Sequence, residues 1–150
     1  MMDILIAQSL WVLGLLDAAK LPDVGVKALE AGMDSRALRM LAGLMQDEIE
    51  EAPELFEQVL NELSLPILDR PNAARLCAKM ISSKILSGEL SPQEGANRLW
   101  DVSVKVNDPS FHDLDTFIYA ASELSSRPED QEFFYREIVK EAESWAKRTR

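Results

Sequence analysis

The chain has 150 residues, enough for one domain to bury a hydrophobic core without disulfides or metals. Its hydrophobic fraction of 47% excludes wholesale disorder. Sixteen Lys and Arg against 26 Asp and Glu give a net charge of −10, which disfavours nucleic acid and anionic membrane surfaces and favours basic partners.

Helical periodicity runs along nearly the whole chain, and strand alternation is almost absent. Asp3 can cap a first helix extending to about Lys20. Its run from Ile4 to Leu16 is largely apolar and includes Trp11. No Lys or Arg precedes that run, Gln8 and Ser9 interrupt it, and it is too short to span a bilayer. It therefore reads as a buried helix of a cytoplasmic protein, and the single cysteine, Cys77, fits a reducing compartment.

Pro22 opens a second, short helix that Gly32 ends, and Asp34 or Ser35 caps a third with Leu38 and Leu41 on one face. The acidic stretch from Met45 to Glu57 follows. Pro53 suits the first turn of a fourth helix, where Leu55, Phe56, Val59, Leu60 and Leu63 recur at helical spacing. After a connector from Pro66 to Pro71, a fifth helix reaches Ser87, with Leu76, Cys77, Met80, Ile81, Ile85 and Leu86 as its apolar face.

The clearest punctuation lies in SGELSPQEGANRLW, from Ser87 to Trp100. Gly88 suits the left-handed position just past a helix end. Ser91, Pro92 and Glu94 then announce a sixth helix as N-cap, first helical residue and capping-box partner. Capping and turn geometry account for the Ser, Pro, Glu and Gly of this corner, leaving Leu99 and Trp100 for the core. Val102, Val104 and Val106 alternate with polar residues, so the end of this helix has an extended alternative. Asn107 to Pro109 forms a turn, and a seventh helix buries Leu114, Phe117, Ile118, Ala121 and Leu124. An eighth helix from about Glu129 carries Phe134, Ile138, Ala142 and Trp145 on one stripe, with Lys147, Arg148 and Arg150 complementing its dipole. Trp11, Trp100 and Trp145 are expected to pack in the core, each indole N–H finding a partner.

Little here carries catalysis. Cys77 and His112 are the only pair from which a cysteine nucleophile could be built, and Cys77 sits among apolar neighbours that mark a core cysteine. His112, Asp113 and Asp115 are too few for a structural zinc site. No P-loop, G-x-G-x-x-G or G-x-S-x-G is present. The sixth helix offers DNA only Arg98 and Lys105, against Glu94 and Asp101.

Acidity is concentrated instead. Between Arg39 and Arg70 there is no Lys or Arg, while Asp47, Glu48, Glu50, Glu51, Glu54, Glu57, Glu62 and Asp69 give that window a charge of −8. A segment of this kind suits a face that attracts a basic protein. Its bland counterpart is a solvated loop and helix start, with Glu54 near a helix N-terminus. Glu48, Glu51, Glu54 and Glu57 also recur every third residue, a spacing that resembles the Mg²⁺-holding E-x-x-E helices of all-α nucleotide pyrophosphohydrolases. Against that, Pro53 interrupts the run, and neither a second acidic helix nor a Lys/Arg cluster for phosphates is evident.

The run ILSGELSPQEGANRLW, from Ile85 to Trp100, resembles a G-x-L-x-P-x-E-G-A-x-x-L-W corner of small uncharacterised bacterial all-helical proteins. ALEAGMDSRALRMLAGL, from Ala28 to Leu44, resembles a second block of the same group. In size, acidity and helicity the chain is also similar to immunity proteins that neutralise basic nuclease toxins.

These readings lead to an all-α single domain over residues 1–150, with about seven or eight helices packed as antiparallel hairpins. The expected function is a non-enzymatic protein-interaction domain of immunity type, without cofactor or metal. Asp47, Glu48, Glu50, Glu51, Glu54 and Glu57 are its partner-binding residues, and a basic toxin is the partner. A Mg²⁺-dependent nucleotide hydrolase and a helical adaptor that oligomerises through its first or last helix remain the alternatives, and the oligomeric state is open.

Overall fold

A computed structural model describes residues 3–148. Among them there are eight α-helices and no strand, so the fold is all-α. None of these helices is long and apolar enough to cross a membrane. The chain divides into two compact units, one ending at Asp69 and the other starting at Arg70.

The first unit holds α1 (Ile4–Val12), α2 (Leu21–Glu30), α3 (Arg36–Ala42) and α4 (Ala52–Glu62). Asp3 caps α1 by accepting the Leu5 N–H at 2.8 Å. The helix stops well short of Lys20, because Gly14 adopts a left-handed φ of 72°. Gly14 N–H donates to Trp11 O and Leu15 N–H reaches back to Leu10 O, which closes the helix end in a Schellman turn. Gly32, at φ 98°, ends α2 in the same way. Ser35 is the residue that caps α3, its Oγ accepting the Leu38 N–H at 3.1 Å.

These helices bury one apolar cluster that includes Ile4, Leu21, Leu38, Leu41, Phe56 and Val59. Trp11 packs against it, its ring edge-on to Phe56 with centroids 6.3 Å apart. Gly25 lets α2 approach α3 closely, since a β-carbon there would stand 3.0 Å from the Ala42 backbone nitrogen. Gln8 is 1% exposed and does more than interrupt an apolar run. Its Nε2 donates to Pro66 O at 2.9 Å and its Oε1 accepts the Leu68 N–H at 2.7 Å. One side-chain amide thus satisfies two backbone groups of the segment that follows α4.

The second unit holds α5 (Arg70–Ser87), α6 (Pro92–Val106), α7 (Asp115–Ser126) and α8 (Gln131–Lys147). Each packs on the next, and α8 returns against α5 to close a four-helix group. The expected capping box is formed: Ser91 Oγ accepts the Glu94 N–H at 3.1 Å and Glu94 Oε1 accepts the Ser91 N–H at 3.2 Å. Gly88 is left-handed, at φ 86°. α6 stays helical through Val106 and ends at Asn107, itself left-handed at φ 54°. Phe134, Ile138, Ala142 and Trp145 form the buried stripe of α8 as expected, whereas Arg150 lies outside the described residues.

Three expectations about the core need correction. α5 buries mainly small residues, Ala73, Ala74, Cys77, Ala78 and Ser82 together with Ile81 and Ile85, while Leu86 is exposed. Trp100 is 38% exposed, and Val102 takes the inward position on α6. Trp145 is buried, but its Nε1–H has no acceptor among the described residues. The Arg148 guanidinium instead covers the indole, 3.6 Å from its centroid.

Gly95 serves packing as well as the corner. It is buried inside α6, and a β-carbon there would stand 2.3 Å from Ile85 Cδ1 and 2.4 Å from Cγ1. Gly95→Ala is therefore expected to cost about 1–3 kcal/mol in urea denaturation, despite the better helix propensity of alanine. Combining it with Ile85→Ala, which vacates that space, should give a total smaller than the sum of the single losses.

Candidate functional site

The acidic segment begins where α3 stops. After Gly43 the chain turns at Met45 into a 3-10 turn, Gln46–Glu51, that runs directly into α4. Pro53 lies in the first turn of α4, where its missing N–H leaves no bond unmade. Ala52, Leu55, Phe56, Val59 and Leu60 hold α4 to the core. That registry turns Glu54 and Glu57 to solvent, one helical turn apart. Asp47, Glu50 and Glu51 are exposed on the preceding turn.

Two acids of the window are occupied structurally. Glu48 bends back so that its Oε1 accepts the Met45 N–H at 2.8 Å, which completes the cap of the 3-10 turn. Glu62 crosses to the start of α3, its Oε1 accepting the Ala37 N–H at 2.9 Å. That backbone bond, with a further bond from Ser35 and the nearby Arg36 and Arg39 charges, holds the Glu62 carboxyl below its ordinary value of 4.5. A depressed carboxyl stabilises the fold above its unfolded-state value, and the contribution disappears as pH falls through the folded value. In thermal melts, Glu62→Gln should lower the Tm near pH 7, and the difference from wild type should close as the pH falls through the lowered folded-state value, below which both side chains are neutral.

Of the other six acids of the window, Asp47, Glu50, Glu51, Glu54 and Glu57 have no ion-pair partner among the described residues. The nearest bases along the chain are Arg39 and Arg70. Charge is also divided unequally between the units. Residues 1–69 carry 4 Lys and Arg against 13 Asp and Glu, a net −9, and residues 70–150 carry 12 against 13, a net −1. Exposed carboxylates in water repel one another only weakly, by about 1 kcal/mol at contact, so such a face is tolerated in the free protein. Its potential reaches about a Debye length, ~10 Å at 0.1 M salt, and remains available to an approaching cation. Met45, 66% exposed, adds an apolar side chain at the head of this face.

Other sequence candidates are placed differently. Among the described residues, no three His, Cys, Asp or Glu side chains converge as a metal site would require. Cys77 is fully buried on α5. The exposed His112 places Nδ1 3.0 Å from Asp115 Oδ2, while Asp113 accepts from Arg75 Nε at 2.7 Å. Both pairs tie the start of α7, and Arg75 also lies over the Phe111 ring. The sequence reading missed the role of Glu48, although it stands at the capping-box spacing, three residues after the first residue of the turn. Nothing local announced the role of Glu62, whose acceptor function depends on α3 lying beside α4. Comparison with protein families, with curated proteins and with solved structures finds no match to this chain.

Proposed function

We propose that this chain is a non-enzymatic, cytoplasmic interaction protein of immunity type, whose acidic face from Met45 to Glu57 covers the basic site of a toxin. The observation that carries this reading is the set of five exposed carboxylates without an ion-pair partner among the described residues, on the unit that holds nine of the ten net negative charges. Glu48 enters this proposal as the residue that shapes the face, and Asp47, Glu50, Glu51, Glu54 and Glu57 as those that meet the partner.

The chemistry fits a cationic active site. A nuclease must hold phosphates with Lys and Arg, and a surface that presents carboxylates in their place occupies that site and blocks it. Steering by such a face raises association rates by about 10–10³-fold at low salt. The test is kinetic: stopped-flow association with a basic nuclease-toxin domain as the probe, measured from about 20 to about 500 mM NaCl. The association rate should fall steeply with salt, at least tenfold over that range, and a salt-independent rate would contradict the reading.

A further inference from the structure

The outward face of α6 is a surface feature that the acidic segment does not explain. Asn97, Trp100 and Val104 follow one another at spacings of three and four, so they lie on one line along the helix. All three are exposed, Trp100 by 38% and Val104 by 63%. A half-exposed tryptophan with a valine one turn later is the kind of anchor that protein interfaces favour. Beside this line runs a second, made of Glu94, Arg98, Asp101 and Lys105, also exposed. Along the helix its charges alternate as minus, plus, minus, plus.

That order has a symmetry property. Reversed end to end it reads plus, minus, plus, minus. A second copy of α6 laid antiparallel, with its centre between residues 98 and 101, therefore sets Glu94 against Lys105 and Arg98 against Asp101, each contact occurring twice. A parallel, in-register pairing would set like against like. A two-fold interface must be complementary to itself, and this stripe meets that condition. Within the free chain the same residues stand where intrahelical pairs could form, yet Arg98, Asp101 and Lys105 make no ion pair among the described residues, and Glu94 is engaged only in its cap. α6 also belongs to the unit of net charge −1, so the two units that pair carry almost no net charge against each other.

We infer that α6 is a homodimerisation surface, paired antiparallel with α6 of a second copy about a two-fold axis, with Trp100 at its centre. This goes beyond the toxin-binding reading and uses none of its residues. One helix face is small against a standard interface, so the dimer is expected in the micromolar range.

The test is sedimentation of the full-length chain from about 5 to 500 μM in low salt, with helicity checked by circular dichroism. Wild type should approach twice the chain mass of 16.8 kDa as concentration rises. Arg98→Glu alone sets two acids together across the axis, and Asp101→Arg alone sets two arginines together. Each should weaken self-association about ten- to a hundredfold. The double variant should recover the dimer, and an equimolar mixture of the two single variants should form a heterodimer, since every contact is then opposite in sign. Three results would overturn the inference: a wild-type chain monomeric throughout, single variants that dimerise like wild type, or a mixture that stays monomeric.

Discussion

Phe56→Ala is expected to lower the stability of the first unit by about 3–5 kcal/mol. Phe56 is completely buried on the inner face of α4, between the core line of that helix and the edge-on ring of Trp11. Truncation removes the transfer free energy of the ring and leaves a space that the surrounding helices fill only in part. The consequence for the acidic face is direct. Glu54 and Glu57 point outward because Leu55, Phe56, Val59 and Leu60 point inward, so loosening that anchor frees the carboxylates from their common line. Urea denaturation followed by circular dichroism should show the midpoint of one transition falling by about 1–5 M, given slopes usual for small domains. A loss below about 1 kcal/mol would mean that α4 is not held by this contact.

Gln8→Glu should produce the second large effect, with a pH dependence of its own. At neutral pH the introduced carboxylate can still accept the Leu68 N–H, but it can no longer donate to Pro66 O, and it faces that carbonyl from a site that is 1% exposed. A buried charge without a partner costs about 3–5 kcal/mol. Burial raises the folded-state value of the new carboxyl above its unfolded value of about 4.3. With that sign, the variant is least impaired below the unfolded value and loses stability as pH rises toward the folded one. Near pH 4 its protonated form restores the donor, and the gap to wild type should shrink. Gln8→Leu should instead lose stability about equally at both pH values. Amide exchange at Leu68 gives the local readout, since protection there depends on the Gln8 acceptor.

Much of the fold was legible because capping chemistry is local. Ser35, Ser91, Glu94, Gly32 and Gly88 act where their spacing places them. Gly14 escaped notice because Leu13, Leu15 and Leu16 surround it, and an apolar run reads as one continuous helix even where a left-handed residue breaks it. Trp100 was assigned inward with Ala96 and Leu99 as one apolar stripe, although neighbours in a helix point about 100° apart. Leu99 lies with Ala96, Val102 and Val106 on the buried side, which turns Trp100 outward. On α5 the large residues suggested the core, whereas Ala73, Ala74 and Ala78 occupy it, because small side chains let neighbouring helices come close. Of the candidate face, position and charge were legible in the residues. The division of labour was not, because Glu48 and Glu62 acquire their partners only when turn and helices are in place.

Glu48 also decides how the face should be probed, because reversing it would remove a cap along with a charge. The most direct measurement is the association rate, at low ionic strength, of two quadruple variants with a basic nuclease-toxin domain that the wild-type chain binds. The first carries Glu50→Lys, Glu51→Lys, Glu54→Lys and Glu57→Lys. The second carries Glu132→Lys, Glu137→Lys, Glu141→Lys and Glu143→Lys on α8, the same change in net charge in the second unit. If the face from Met45 to Glu57 receives the partner, the first variant should associate about 10²-fold more slowly than wild type and the second within about threefold of it. Equal slowing of both would make the effect one of overall charge, and an unchanged rate for the first would contradict the assignment of the face.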